Sequence, residues 1–147
     1  MKKEEDYNIF DWWKKVVFQN YANFTGRARR QEYWSFRLVN FIMMIALMIP
    51  LLFSTVLNNG EPGVLFFLIA SLIFIFVFGT IVPNLAVICR RLHDTNRSGT
   101  TFLFAFIPLV GGILLLVYFF SEGTNGKNIY GKDPKLINDE LQEIGEF

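Results

Sequence analysis

A chain of 147 residues is long enough for one unit and too short for two ordinary domains. Its hydrophobic share of 52%, with 17% aromatic and seventeen Phe, is gathered in blocks instead of recurring at surface-helix spacing, which argues against an ordinary soluble domain and for a membrane protein. The formal net charge of +1 says little by itself, because the front of the chain is basic and the end acidic, but one Cys and one His exclude an intramolecular disulfide and a Cys/His metal cluster.

The first ten residues, MKKEEDYNIF, mix acids with lysines and lead into no early apolar core with a small-residue cleavage site. A cleaved signal peptide is therefore not expected, residues 1–9 read as a flexible N-terminus, and the first apolar span serves as an uncleaved anchor. Phe10 to Phe24 then places Phe10, Trp13, Val17, Tyr21 and Phe24 at helical spacing, with Lys14, Gln19 and Asn23 elsewhere on the wheel. This predicts an amphipathic interfacial helix over 10–24, its apolar face either in lipid or packed as a lid across the ends of the spans.

Three uncharged blocks follow, and the expected fold is an all-α membrane protein with three transmembrane helices at about 38–57, 64–88 and 102–120. The second is long enough to tilt, kink at Pro83 or emerge by a turn into the headgroup layer. The third carries Pro108, Gly111 and Gly112 in its middle. Between the first two, NNGEPG is a compact turn that makes them antiparallel neighbours. Lys and Arg number eight before Leu38, none in that turn, three in Cys89 to Thr101 and three after Phe120. The N-terminus and the second basic segment are thus expected in the cytoplasm. A full third crossing would put the C-terminus outside, whereas a re-entrant hairpin at Pro108 to Gly112 would put every basic residue inside. The crossing is preferred, because irregular backbone at membrane depth needs other protein to cover it.

Three polar motifs punctuate these blocks: FTGRARRQEYWSF (24–36), RRLHDTNRSG (90–99) and EGTNGKNIYGKDP (122–134). In this order and spacing they resemble the domain of unknown function 805 (DUF805) family of small bacterial inner-membrane proteins, a likeness running from Trp12 to Pro134. Thr100 and Thr101 stand where the pattern expects an aromatic pair. The resemblance implies a multi-pass protein of the bacterial inner membrane, with Gly26, Tyr33, Trp34, Ser98, Gly99, Asn128, Tyr130, Gly131 and Pro134 as motif residues, and it implies no catalytic residues.

Read physically, the first motif turns at Gly26 and sets Arg27, Arg29, Arg30 and Arg37 near the inner headgroups, with Tyr33 and Trp34 as interfacial belt residues. Tyr33, Arg37, Asn40 and Met44 share one helical face, and Thr80, Asn84 and Arg91 share another; two such faces at one membrane edge should meet. Glu32 and Asp94 are the acids available to the arginines. A structural reading makes Arg90 and Arg91 the cationic end of a helix and Asp94, Asn96, Ser98 and Gly99 its turn and the next cap. A sharper reading gathers Arg27, Arg30, Arg90, Arg91, Arg97 and His93 on a phosphate, most simply a lipid headgroup. Catalysis by His93 and Asp94 is the weakest, since chain neighbours rarely face each other and Cys89 has no strong base partner on its own face.

Ala105, Pro108 and Gly112 form a small-residue stripe, for internal packing or an oligomer seam. Thr80 and Asn84 suit a pore poorly, since no acid lies inside any span. The third motif reads as ordered turns, and the acidic tail, 135–147, as a short frayed helix in a single unit of 1–147. The expected function is that of a non-enzymatic integral membrane protein whose arginine motifs stabilise its helices and bind anionic phospholipid headgroups or a protein partner. A solute-handling oligomer and a lipid-modifying enzyme are the alternatives. The bilayer is the expected partner, with a homo-oligomer or another membrane protein beside it, no nucleic acid, no cofactor and no metal.

Overall fold

The computed structural model describes residues 4–136, and the acidic tail from 137 on lies outside them. Among the described residues the chain is helical: α1 (Ile9–Lys14) runs into a π-helical turn (Lys15–Gln19), and is followed by α2 (Arg30–Leu57), α3 (Val64–Asp94), a 3-10 helix (Gly99–Phe106) and α4 (Val110–Phe120). At 28 and 31 residues, α2 and α3 are long and apolar enough to cross a membrane. At 1.5 Å per residue they measure about 42 and 46 Å, longer than the roughly 30 Å of hydrocarbon that an upright crossing would need. Their charged stretches lie at one end of the pair, since the short Asn58 to Gly63 connection, with Asn59 and Gly60 at φ 53 and 90, makes the helices antiparallel. Apolarity marks where the bilayer lies. It does not mark where the helix stops, and nothing in RQEYWSF or CRRLHD breaks one.

The expected third transmembrane helix over 102–120 is not formed. Its first part is the 3-10 helix, Leu109 follows at φ 66, and α4 has only 11 residues. That is about 16 Å, half of a hydrocarbon core. The two limbs touch backbone to side chain position, because a Cβ on Gly111 would lie 1.7 Å from the Phe104 carbonyl oxygen. Both ends of the hairpin return to the end of α3 that carries the second motif. Gly99 packs on the Cys89 thiol at the entry, and the carbonyls of Phe119 and Ser121 accept from Arg91 at the exit. The described residues after α4 therefore lie at the same end as both arginine motifs, and not across the membrane from them as a full crossing requires. α2 packs on the exit of the hairpin, where Tyr33 meets Phe119 at 4.6 Å and Trp34 meets Phe120 at 4.4 Å, while the turn from Leu103 to Val110 stays exposed.

The interfacial helix is also shorter than expected. Asn8 and Asp11 form a reciprocal cap at its start, but the helical backbone ends at Gln19, and Tyr21 to Phe24 lie outside it. Its buried side is Trp12 and Val16, with Trp13 and Val17 at the margin, while Phe10 and Phe18 stay exposed. One face thus packs as a lid and the other stays exposed. Residues 4–8 are tied to this lid: Lys15 pairs with Glu4 at 2.6 Å, and Tyr7 meets Trp12 edge to face at 5.2 Å. The core sits at the same end, where Val16, Ala28, Phe36, Val87, Ile88, Leu92 and Leu115 pack together, and the rest of α2 and α3 presents apolar side chains outward.

Candidate functional site: an arginine clasp and a lateral cavity

An α-helix leaves its last carbonyls without intrahelical donors, and in a membrane protein these ends must find partners. Here the arginines of the first two motifs supply them. Arg91, fully buried on α3, donates to the Phe119 and Ser121 carbonyls at the end of α4 and to Asp94 Oδ2. Arg30 donates to the Phe120 carbonyl at 3.3 Å and pairs with Glu122. Lys135, hydrogen-bonded to exposed Glu122 at 3.1 Å, holds that carboxyl below its ordinary pKa, with Arg30 adding to the effect. Arg27 donates through Nε to Asp94 Oδ1 at 2.9 Å and through its other nitrogens to the carbonyls of Thr124 and Gly126. Arg29, outside the expected cluster, donates to the Pro134 carbonyl. Arg90 pairs with Glu32, which also faces Lys15 at 3.4 Å, and the Arg90 Nε and Nη2 are buried without hydrogen-bond partners among the described residues.

The third motif is what these side chains hold. Thr124 N–H donates to the Asp94 carbonyl at 2.8 Å and Asn128 Nδ2 to the His93 carbonyl at 2.9 Å, so the tail also caps α3. Asn128 and Gly131 exchange backbone hydrogen bonds across a tight turn in which Gly131 has φ 136. Gly123 must be glycine for space, since a Cβ would lie 2.2 Å from Asp94 Oδ2. Ser98 caps the 3-10 helix through the Thr100 N–H. Arg97 lies over the Tyr118 ring at 3.8 Å, apart from the other guanidinium groups.

His93 is built in from three sides. Its Nδ1 lies 3.1 Å from the Gly26 carbonyl, which only accepts, so Nδ1 carries the proton and Nε2 is left as an acceptor. Nε2 is 3.4 Å from Cys89 Sγ, and the ring stacks on Tyr130 at 3.8 Å. Cys89 thus does have a basic neighbour on its own helical face, contrary to expectation. The two residues are four apart, the spacing that places side chains over one another on a helix.

The expected meeting of the two polar faces takes the form of a cavity. Between α2, α3 and α4 lies a space of about 710 Å³, opening sideways and lined by Trp34, Arg37, Asn40, Thr80 and Asn84 among apolar side chains such as Met44 and Leu115. Three buried polar atoms on this wall, Trp34 Nε1, Asn40 Nδ2 and Asn84 Oδ1, have no hydrogen-bond partner among the described residues. The amide of Asn40 is oriented by Trp13, whose Nε1 can only donate and reaches Asn40 Oδ1 at 3.1 Å, which leaves Nδ2 directed elsewhere. Arg37 makes one hydrogen bond among the described residues, from Nε to the Tyr33 hydroxyl at 3.3 Å, and its guanidinium lies 5.4 Å from that ring.

Comparison with known proteins agrees with the membrane character of this architecture. Residues 21–132 match the model of a family described as "Protein of unknown function (DUF805)". Inner membrane protein YhaI of Escherichia coli K12 is 42% identical over 124 residues, 84% of this chain and 96% of the relative. Inner membrane protein YhaH of the same organism is 41% identical over 126 residues, 86% of this chain and 98% of the relative. No solved structure matches the chain. The matched span takes in the arginines of the clasp, both long helices and the hairpin, and the chain belongs to the DUF805 family.

Proposed function

We propose that this chain is a non-enzymatic protein of the bacterial inner membrane that holds an anionic phospholipid of the inner leaflet in the lateral cavity, with the phosphate on Arg37. The relatives named as inner membrane proteins and the two long apolar helices support the location. The positive-inside rule supports a cytoplasmic placement of the end where all three motifs meet. The arginine clasp is structural. Arg27, Arg29, Arg30 and Arg91 spend their guanidinium groups on carbonyls and carboxylates of the chain itself, and Arg90 on Glu32.

The observation that carries the lipid reading is the state of Arg37. It stands on α2 at the cavity wall and pairs with neither a carboxylate nor a carbonyl among the described residues. A guanidinium held there by an aromatic ring presents its remaining N–H groups to an anion, and phosphate is the anion a bilayer offers at that level. The test is lipid retention by the purified protein. Native mass spectrometry of wild type should show phosphatidylglycerol held in preference to phosphatidylethanolamine. In Arg37→Gln that preference should fall by about 10-fold, the worth of one charge-assisted hydrogen-bonded contact. Equal retention of the two lipids by wild type would sink the reading.

A further inference from the structure

Resting on that lipid reading, we infer that the cavity recognises the ester linkages of a diacyl glycerophospholipid as well as its phosphate, through Asn40 and Asn84. The wall is rich in unused donors. Asn40 Nδ2 is unpartnered and directed away from Trp13, and Trp34 Nε1 is a donor with no acceptor. At Asn84 the buried unpartnered atom is Oδ1, but the side chain makes no hydrogen bond among the described residues, so a flip of its amide brings the N–H₂ group to the same position as a third donor. A buried donor without an acceptor costs about 1–3 kcal/mol in a protein, and water from the bilayer core is not there to relieve it. A donor-rich wall calls for an acceptor-rich ligand. That excludes a simple alkyl chain and disfavours an alcohol, which brings as many donors as acceptors.

The levels of these groups fit one molecule. α2 runs from the clasp into the hydrocarbon, so Asn40 lies about 4.5 Å deeper than Arg37, three residues at 1.5 Å each, and on the same side of the helix. Asn84 lies about 10 Å below Arg91 on α3, reaching the same cavity from the opposite wall. Trp34, one turn nearer the clasp than Arg37, stands at the headgroup level. In a glycerophospholipid the phosphate is followed, a few bonds deeper, by two ester carbonyls. They accept hydrogen bonds and donate none. The phosphate sits against Arg37 and Trp34, the carbonyls against Asn40 and Asn84, and the acyl chains leave through the apolar mouth by Met44, Phe76 and Leu116.

The experiment compares ester-linked phosphatidylglycerol with its dialkyl ether analogue, which keeps headgroup, charge and chain length and removes both carbonyls. Dissociation constants are measured on the purified full chain in a neutral detergent. Wild type should bind the ester lipid about 5- to 10-fold more tightly, the value of one to two modest hydrogen bonds, and Asn84→Leu should bring the two lipids to within about 2-fold. Equal binding of ester and ether lipids by wild type, with the phosphatidylglycerol preference still lost in Arg37→Gln, would overturn the ester inference and leave the phosphate reading standing. Loss of selectivity between phosphatidylglycerol and phosphatidylethanolamine in wild type would remove both. An ester preference that survives in Asn84→Leu and Asn40→Leu alike would show that the carbonyls bind elsewhere, and would also overturn the inference. The wild-type comparison needs no variant to fold.

Discussion

Arg27 donates through Nε to Asp94 Oδ1 at 2.9 Å, joining a turn before the first long helix to the last residue of the second, 67 positions away. Both side chains are buried, and the other Asp94 oxygen is held by Arg91, so one carboxylate is shared by two guanidinium groups. Asp94→Asn should leave both cations buried without a counter-charge and cost about 3–5 kcal/mol. Arg30→Gln breaks the pair with Glu122, in which both side chains are largely exposed, and should cost about 0–1 kcal/mol. Thermal unfolding of the two variants in one detergent checks the contrast. Equal melting temperatures would mean that the clasp does not hold the tail.

Two adjacent glycines of α4 should respond oppositely to alanine. A Cβ on Gly111 would lie 1.7 Å from the Phe104 carbonyl oxygen, a backbone atom that can move only if the hairpin limbs separate. A Cβ on Gly112 meets nothing within 4 Å. Gly111→Ala should therefore destabilise by at least the 1–3 kcal/mol or so of an overpacked core. Gly112→Ala should be neutral or gain up to about 1 kcal/mol from helix propensity. The melting temperatures of the two variants against wild type decide it.

Much of this could be read from residues, and the failures have physical reasons. The blocks from Leu38 and Val64 gave the two long helices, because only apolar runs of that length satisfy hydrocarbon. The third block is equally apolar, and hydropathy does not distinguish a crossing from a hairpin. The deciding facts are a turn that folds Gly111 back onto Phe104 and a contact between two positions far apart in the chain, Tyr33 and Phe119. The arginine motifs marked one end of the molecule but not their targets, most of which are backbone carbonyls and so carry no residue signature. The Cys89–His93 contact was missed although its four-residue spacing signals it. The unpartnered polar atoms of Asn40 and Asn84 were not legible, since sequence shows that polar faces coincide and not whether they touch.

The hairpin fixes the sidedness of the third motif relative to the first turn. Lys127 is exposed after α4, and Asn59 is exposed in the connection between α2 and α3 at the opposite end. In a Cys89→Ser background, Asn59→Cys should label with a membrane-impermeant maleimide in intact spheroplasts, and Lys127→Cys only after lysis. Labelling of both from outside would restore the full third crossing. Labelling of Lys127→Cys alone would keep the hairpin and invert the protein in the membrane.

The entry to the hairpin offers a test in which one substitution should repair another. A Cβ on Gly99 would lie 2.3 Å from Cys89 Sγ, while the nearest backbone atom of that residue is 3.7 Å away. The conflict is therefore with the thiol alone. Gly99→Ala should push Sγ out of its place between His93 Nε2 and the Phe24 carbonyl, 3.4 and 3.6 Å away, and lower stability by about 1–3 kcal/mol. Cys89→Ala removes the obstructing atom, and the double variant should be clearly more stable than the two single effects added together. The expected coupling is about 0.5–3 kcal/mol, the range for residues in contact. A coupling near zero in detergent-solubilised protein would mean that the 3-10 limb does not rest on α3 at this point, and that the hairpin is held by its exit contacts with Arg91 alone.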